Sequence, residues 1–114
     1  MHELSIANSL VEIASSHAER HGAQLVRAIT LRVGQLSCVH KSALQFCFEL
    51  ASKDTLLEGA TLQFIDEPVA VYCPQCQVEV ELPGIQSFRC PRCGVPTGDI
   101  RRGRELDVET IEIV

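Results

Sequence analysis

The amino-acid sequence predicts an α+β fold, in which two helices pack on a small mixed sheet of about three strands. Two stretches carry apolar residues at the three- and four-residue spacing of a helix, and three others alternate apolar with polar residues as strands do. A cysteine-rich segment, residues 68–104, is inserted between the last two strands. With 114 residues, 46% of them apolar, the chain can bury one real core, so the insertion needs another source of stability.

The two predicted helices differ in length. The first runs from Leu4 to about His21, and Gly22 supplies its C-terminal stop. Its expected apolar face comprises Ile6, Ala7, Leu10, Val11, Ile13, Ala14 and Ala18. The second runs from about Lys41 to Ser52, and its expected face comprises Leu44, Cys47, Phe48 and Ala51.

Three strands complete the predicted α/β domain, which covers residues 1–67 and 105–114. Apolar residues alternate from Ile29 to Val33, where Gly34 ends the strand, and again from Leu62 towards Glu67. In the last strand the apolar parity shifts by one residue, which predicts a β-bulge near Glu109-Thr110. The remaining residues, 68–104, form the predicted metal-binding domain.

Charge and composition exclude several functions. The net charge of −5 disfavours non-specific binding to a phosphate backbone, although residues 68–104 alone carry +2. Their arginines are Arg89, Arg92, Arg101, Arg102 and Arg104. The amino terminus has no signal-peptide pattern and no stretch is apolar enough to span a bilayer, so we expect a cytoplasmic protein without a membrane partner. In that reducing compartment, paired cysteines indicate metal ligation rather than disulfides.

Two Cys-Pro-x-Cys knuckles carry the strongest signal. They are Cys73-Pro-Gln-Cys76 and Cys90-Pro-Arg-Cys93, separated by thirteen residues, a spacing typical of four thiolates around one zinc ion. Four sulfur ligands leave no open coordination position, which indicates a structural ion and excludes zinc hydrolysis. This predicts a zinc-ribbon subdomain whose metal replaces a core.

Other readings of the cysteines remain. An iron centre could use the same four sulfurs, and one C-x-x-C could be redox-active, but a redox pair normally occurs once, at a helix start in a βαβ unit. Cys47 is interpreted as a buried small residue, and the role of Cys38 stays open.

The amino terminus offers a second metal site of a different kind. The amine of Met1, together with the backbone nitrogen and imidazole Nδ1 of His2, can close two chelate rings on one ion, and Glu3 could add a fourth donor. Nitrogen-rich planar sites suit Ni(II) and Cu(II). By itself a histidine at position 2 is weak evidence. His17, His21 and His40 are interpreted as solvated or helix-end histidines rather than ligands.

Several motifs together resemble the hydrogenase nickel-insertion accessory proteins of the HypA/HybF family. They are the opening Met-His-Glu-Leu-Ser, the segment Val33-Gly34-Gln35-Leu36-Ser37-Cys38-Val39, the run Phe46-Cys47-Phe48-Glu49, both knuckles and the ending Ile111-Glu112-Ile113. The resemblance covers essentially the whole chain in the same order.

The resemblance implies a nickel metallochaperone, not an enzyme, that helps load the [NiFe]-hydrogenase large subunit with a partner GTPase of the same maturation pathway. It places nickel at His2, with Met1 and Glu3 contributing, and zinc at the four knuckle cysteines. Some relatives add a histidine after a knuckle, where Gln77 and Gly94 stand here, so histidine-coupled communication between the two metals is in doubt. Urease maturation is an alternative client pathway.

Two other functions are possible for a chain with such a cysteine pattern. A zinc-ribbon module that binds nucleic acid should be basic overall and should present aromatic residues for stacking, but this chain is acidic and has only Phe88 between the knuckles. A plain zinc-stabilised interaction domain is the other, and it requires that the amino terminus bind nothing.

Overall fold

Two helices and six strands make up the structure, a computed structural model that describes residues 2–114. Helix α1 spans Glu3–Arg20 and helix α2 spans Lys41–Ser52, so both predicted helices are confirmed to within a residue. The strands are β1 Val26–Gly34, β2 Thr61–Glu67, β3 Ala70–Cys73, β4 Val78–Glu81, β5 Ile100–Arg102 and β6 Leu106–Ile113. Met1 lies outside the described residues.

The strands form two sheets of three. The first has the order β2-β1-β6 and contains the three strands that the alternating pattern predicts. The second has the order β4-β3-β5, with β3 antiparallel to both neighbours. The predicted α+β class is therefore confirmed, with a small sheet of its own in the cysteine-rich segment.

The chain divides into two compact units. The α/β unit comprises the residues up to Leu31, together with 39–64 and 108–114. The cysteine unit comprises residues 32–38 and 65–107. The assignment of nickel to a domain of residues 1–67 and 105–114, and of zinc to 68–104, stays a prediction.

In the α/β unit, α1 and α2 pack against each other. The buried stripe of α1 consists of Ala7, Leu10, Ala14 and Ala18. Ile13 was expected on this face, but it is 51% exposed. The reason is geometric: successive helical residues turn by about 100°, so Ile13 falls outside a stripe that small alanines keep narrow.

Helix α2 buries Leu44, Phe48 and Ser52. The hydroxyl of Ser52 donates to the Phe48 carbonyl at 2.6 Å, so this buried polar group is satisfied. Cys47 is half-buried rather than buried, because the buried stripe follows the four-residue spacing of the other three. At the start of α2, the Nδ1 of His40 accepts from the Ala43 backbone N–H at 3.3 Å and caps the helix.

The last strand shows the predicted change of parity. Leu106 and Val108 are half-buried, Glu109 and Thr110 are both exposed, and Ile111 resumes the half-buried pattern. The β-bulge inferred from this shift stays a prediction.

In the cysteine unit, Glu67 is 8% exposed yet carries a carboxylate. Its two oxygens accept from Arg32 Nη1 at 2.6 Å and from Arg102 Nη1 at 2.8 Å. The two guanidinium groups supply the charge-assisted hydrogen bonds that a buried carboxylate requires. These three residues join the ends of three strands in one ion-pair cluster, which we call the Glu67 clamp.

Candidate metal centres

The first knuckle is the turn of a β-hairpin. Strand β3 ends at Cys73 and β4 begins at Val78, and the two residues are paired in the antiparallel register. The backbone N–H of Cys76 points at the Cys73 sulfur at 3.3 Å, and the N–H of Gln77 donates to the Cys73 carbonyl at 2.8 Å. The hairpin therefore positions the first pair of thiols through backbone hydrogen bonds.

The second knuckle has the same turn with less support. The N–H of Gly94 donates to the Cys90 carbonyl at 2.8 Å, as Gln77 does in the first knuckle. It is flanked by a single isolated bridge between Arg89 and Pro96 rather than by a strand pair. The residue after each knuckle has a positive φ, +78° at Gly94 and +56° at Gln77. Glycine adopts this conformation readily, whereas the first knuckle places an ordinary side chain there.

The two knuckles bring their four sulfurs together. All four Sγ atoms, those of Cys73, Cys76, Cys90 and Cys93, lie within 4.8 Å of one another. The Cys73–Cys93 separation is 3.5 Å and the Cys76–Cys90 separation is 4.0 Å. Sulfurs at about 2.3 Å from a tetrahedral zinc ion would stand about 3.8 Å apart, so both distances suit one such ion. All six cysteines are free thiols.

The cluster is closed on one side and open on the other. Cys73 and Cys90 are buried, Cys76 is half-buried, and Cys93 is exposed. Hydrogen bonds with Cys93 and then Cys73 raise the pKa of Cys76 to about 12. The backbone N–H of Cys93, with that of Arg92, lowers the pKa of Cys90 to about 6 against the opposing effect of burial. Each thiolate that forms makes the neighbouring thiols harder to deprotonate. A bound dication would neutralise this negative charge and favour the deprotonated form.

The amino-terminal residues lie at the start of α1. His2 occupies the N-cap position, its side chain is exposed and caps nothing, and its carbonyl accepts from the Ile6 N–H at 3.2 Å. Its imidazole is therefore accessible to an ion. The predicted ligand Met1 lies outside the described residues.

Glu3 is drawn towards the start of the second helix. Its Oε2 accepts from the His40 backbone N–H at 3.4 Å. Partial burial works to raise the pKa of the Glu3 carboxyl, but hydrogen bonds from the His40 and Glu3 backbones outweigh it, so the pKa lies below its ordinary value. Sequence spacing gave no signal for this contact, because 37 residues separate the two positions.

Most arginines of the cysteine unit have partners within it. Arg101 pairs with both oxygens of Asp99, at 2.8 and 2.9 Å, and lies over the Tyr72 ring. Arg102 belongs to the Glu67 clamp, and Arg89 donates to a backbone carbonyl. A surface for nucleic acid would need these groups free, so the arrangement gives that alternative no support. Among residues 2–114, no helix is long and apolar enough to cross a membrane.

Fold and site together define a small α+β protein with a four-cysteine metal ribbon. The model of the family described as hydrogenase/urease nickel incorporation, metallochaperone, HypA matches residues 1–113. The chain belongs to this family.

Individual relatives agree with the family match. The chain is 46% identical to the hydrogenase maturation factor HypA of Chloroflexus aggregans over 98% of both chains. It is 37% identical to the factor of the same name from Psychromonas ingrahamii, over 99% of this chain and 98% of the relative. Among solved structures, the Ni metallochaperone HypA from Helicobacter pylori superposes with a TM-score of 0.70 at 25% identity, covering 100% of this chain and 98% of that one.

Proposed function

We propose that this protein is a cytoplasmic nickel metallochaperone that assists insertion of Ni(II) into the large subunit of [NiFe]-hydrogenase, without catalysing a reaction. The observation that carries the proposal is the family match over residues 1–113, which includes both the amino terminus and the two knuckles. The relatives named hydrogenase maturation factors support hydrogenase as the client.

We infer that nickel binds at the amino terminus. The amine of Met1, the backbone nitrogen and Nδ1 of His2, and a donor from Glu3 would supply a nitrogen-rich site of the kind that Ni(II) favours. Exposure of the His2 side chain supports access for the ion. Deprotonated backbone nitrogens would also offset the unfavourable field that a helix N-terminus presents to a cation.

Zinc is the proposed resident ion of the four-cysteine cluster. The sulfur separations suit a tetrahedral ion, and four thiolates saturate it, so it would order the cysteine unit and activate no water. The two metals would thus have different roles: zinc is retained for structure, and nickel is the cargo.

Delivery would proceed by ligand exchange. An ion held by exposed ligands at a chain terminus can be approached by an acceptor that offers more or softer donors. The proposed partners are the maturation GTPase and the [NiFe]-hydrogenase large subunit, with urease maturation proteins as a second client pathway. No nucleic acid is expected among them.

The test is a Ni(II) titration of zinc-loaded, untagged protein, followed by heat and by the d–d absorption band. We compare the parent chain with His2→Ala and with protein whose Met1 amine is enzymatically acetylated. Acetylation keeps His2 but removes the terminal amine as a nitrogen donor. Loss of one nickel equivalent in both, with zinc retained, would support the terminal chelate. Equal nickel binding in all three proteins would contradict the terminal chelate and would favour a plain zinc-stabilised interaction domain.

A further inference from the structure

The C-terminal end of α1 carries two histidines one helical turn apart. Positions i and i+4 lie on the same helix face, and the rings of His17 and His21 are in contact, with centroids 4.3 Å apart and planes tilted by 35°. His17 is half-buried and His21 is exposed. The sequence favours solvated or helix-end histidines here, and the structure places the two rings together as a pair.

The orientation of the His21 ring is set by a hydrogen bond. Its Nδ1 lies 2.9 Å from the His17 carbonyl oxygen. A carbonyl only accepts, so Nδ1 carries the proton and the neutral ring presents its Nε2 lone pair outwards. Metal-binding histidines in proteins usually donate their other ring N–H to a backbone carbonyl or carboxylate in this way.

The local field also favours a cation. The pair sits in the last turn of an 18-residue helix, where the helix dipole places partial negative charge. Two charged side chains share this turn, Glu19 and Arg20, and both are exposed. Their charges offset each other, and the Arg20 Nε donates to the Ser16 carbonyl at 3.4 Å.

We propose that His17 and His21 form a second site for a divalent transition-metal ion that prefers imidazole, such as Ni(II), Cu(II) or Zn(II). Two imidazole nitrogens would be the protein ligands, and solvent would complete the coordination. Within residues 2–114, the four cysteines are the only group of three or more potential ligand side chains close enough to share an ion. The histidine site is therefore open, and Cu(II) should bind it more tightly than Ni(II) does.

The site is independent of the proposed amino-terminal chelate, so it is tested where that chelate is absent. The background is untagged, zinc-loaded His2→Ala protein, titrated with NiCl₂. Binding is followed by heat and by paramagnetic broadening of the histidine ring protons in NMR spectra. We expect saturable binding of one ion, with the His17 and His21 resonances broadened first, and loss of that binding in His17→Gln and in His21→Gln.

Two matched controls test whether binding depends on the four-residue spacing of His17 and His21 or only on the number of histidines. The double change Ser16→His with His17→Gln keeps the number of histidines but places them five residues apart, and it should not bind. His40→Asn retains a side-chain acceptor at the α2 N-cap and should bind as the background does. Absence of saturable binding in the background would overturn the proposal. Binding that survives both single variants, or that is lost in His40→Asn, would also overturn it.

Discussion

The two units of this protein differ in what holds them folded. The α/β unit has a core of large apolar side chains, of which Phe48, Ile29 and Leu44 are almost completely inaccessible. In the cysteine unit, one apolar cluster has six buried residues between Val69 and Cys90, and two of them, Cys73 and Cys90, are thiols of the four-cysteine cluster. The thiols proposed to hold zinc are therefore themselves part of that core. One unit is stabilised by packing of large apolar side chains, and the other has a small core that includes the proposed metal site.

Removing the metal should have the largest effect, and it should be confined to the cysteine unit. Structural zinc contributes about 10–16 kcal/mol in small zinc-finger peptides, so Cys90→Ser or chelation should unfold that unit. Tyr72 is the only tyrosine, and the chain has no tryptophan, so tyrosine fluorescence reports on this unit alone. The helical circular dichroism at 222 nm, from α1 and α2, should persist. Simultaneous loss of both signals would mean that the units do not fold separately.

A core truncation in the α/β unit should show the opposite pattern. Leu44 is fully buried, and Leu→Ala changes at such sites cost about 2–5 kcal/mol. We expect Leu44→Ala to lower the midpoint of urea unfolding followed at 222 nm while zinc content, measured after thiol oxidation, stays at one equivalent. Leu50→Ala, on the same helix but 47% exposed, is the control and should change stability little. Zinc loss in the Leu44 variant would contradict the comparison.

The Glu67 clamp should make the cysteine unit sensitive to acid. Hydrogen bonds from Arg32 and then Arg102 hold the pKa of Glu67 below its ordinary value of 4.5. A carboxyl with a lower pKa in the folded state stabilises the fold above its unfolded pKa, and this contribution is lost as pH falls through the folded pKa. Glu67→Gln should therefore lower stability at neutral pH and flatten the loss of stability below about pH 4.5.

The matched control for the clamp is Asp99→Asn. Arg101 lowers the pKa of Asp99 in the same way, but that ion pair is about half exposed, and solvent screens it. Thermal midpoints followed by tyrosine fluorescence from neutral pH down to about pH 3 should separate the two. If the thermal midpoints of the parent and of Glu67→Gln changed with pH in parallel, the ion pairs of the Glu67 clamp would contribute no measurable pH-dependent stability.

The smallest expected effect distinguishes the two knuckles. Gln77 adopts φ +56° where the second knuckle has Gly94 at +78°. A left-handed conformation costs an ordinary residue about 1–2 kcal/mol, partly offset by the greater entropy that glycine loses on folding. Gln77→Gly should therefore stabilise the zinc-loaded cysteine unit by about 0.5–1 kcal/mol. Gln75→Gly, in the same turn without a positive φ, should not stabilise it in the same denaturant titration.

Local patterns predicted most of the fold. Helix bounds followed from apolar spacing and from Gly22, and the three long strands followed from alternation. Burial of particular residues was less predictable. Ile13 is apolar but exposed, because the buried stripe of α1 is narrower than the face covered by its apolar residues. The pairing of His17 with His21 was available from their four-residue spacing, but the ring contact and the Nδ1 hydrogen bond were not.

The sequence by itself determined the two helices, the three long strands and the two closely spaced cysteine pairs. The ligand role of His2 stays a prediction. Contacts between residues distant along the chain were decided only by the tertiary structure. Gly34 reads as the end of a strand, yet a Cβ there would collide with the Gly103 carbonyl oxygen, so only glycine fits. The partners of Glu67 are 35 residues away on either side. Such contacts leave no periodic signal, because backbone geometry relates only near neighbours.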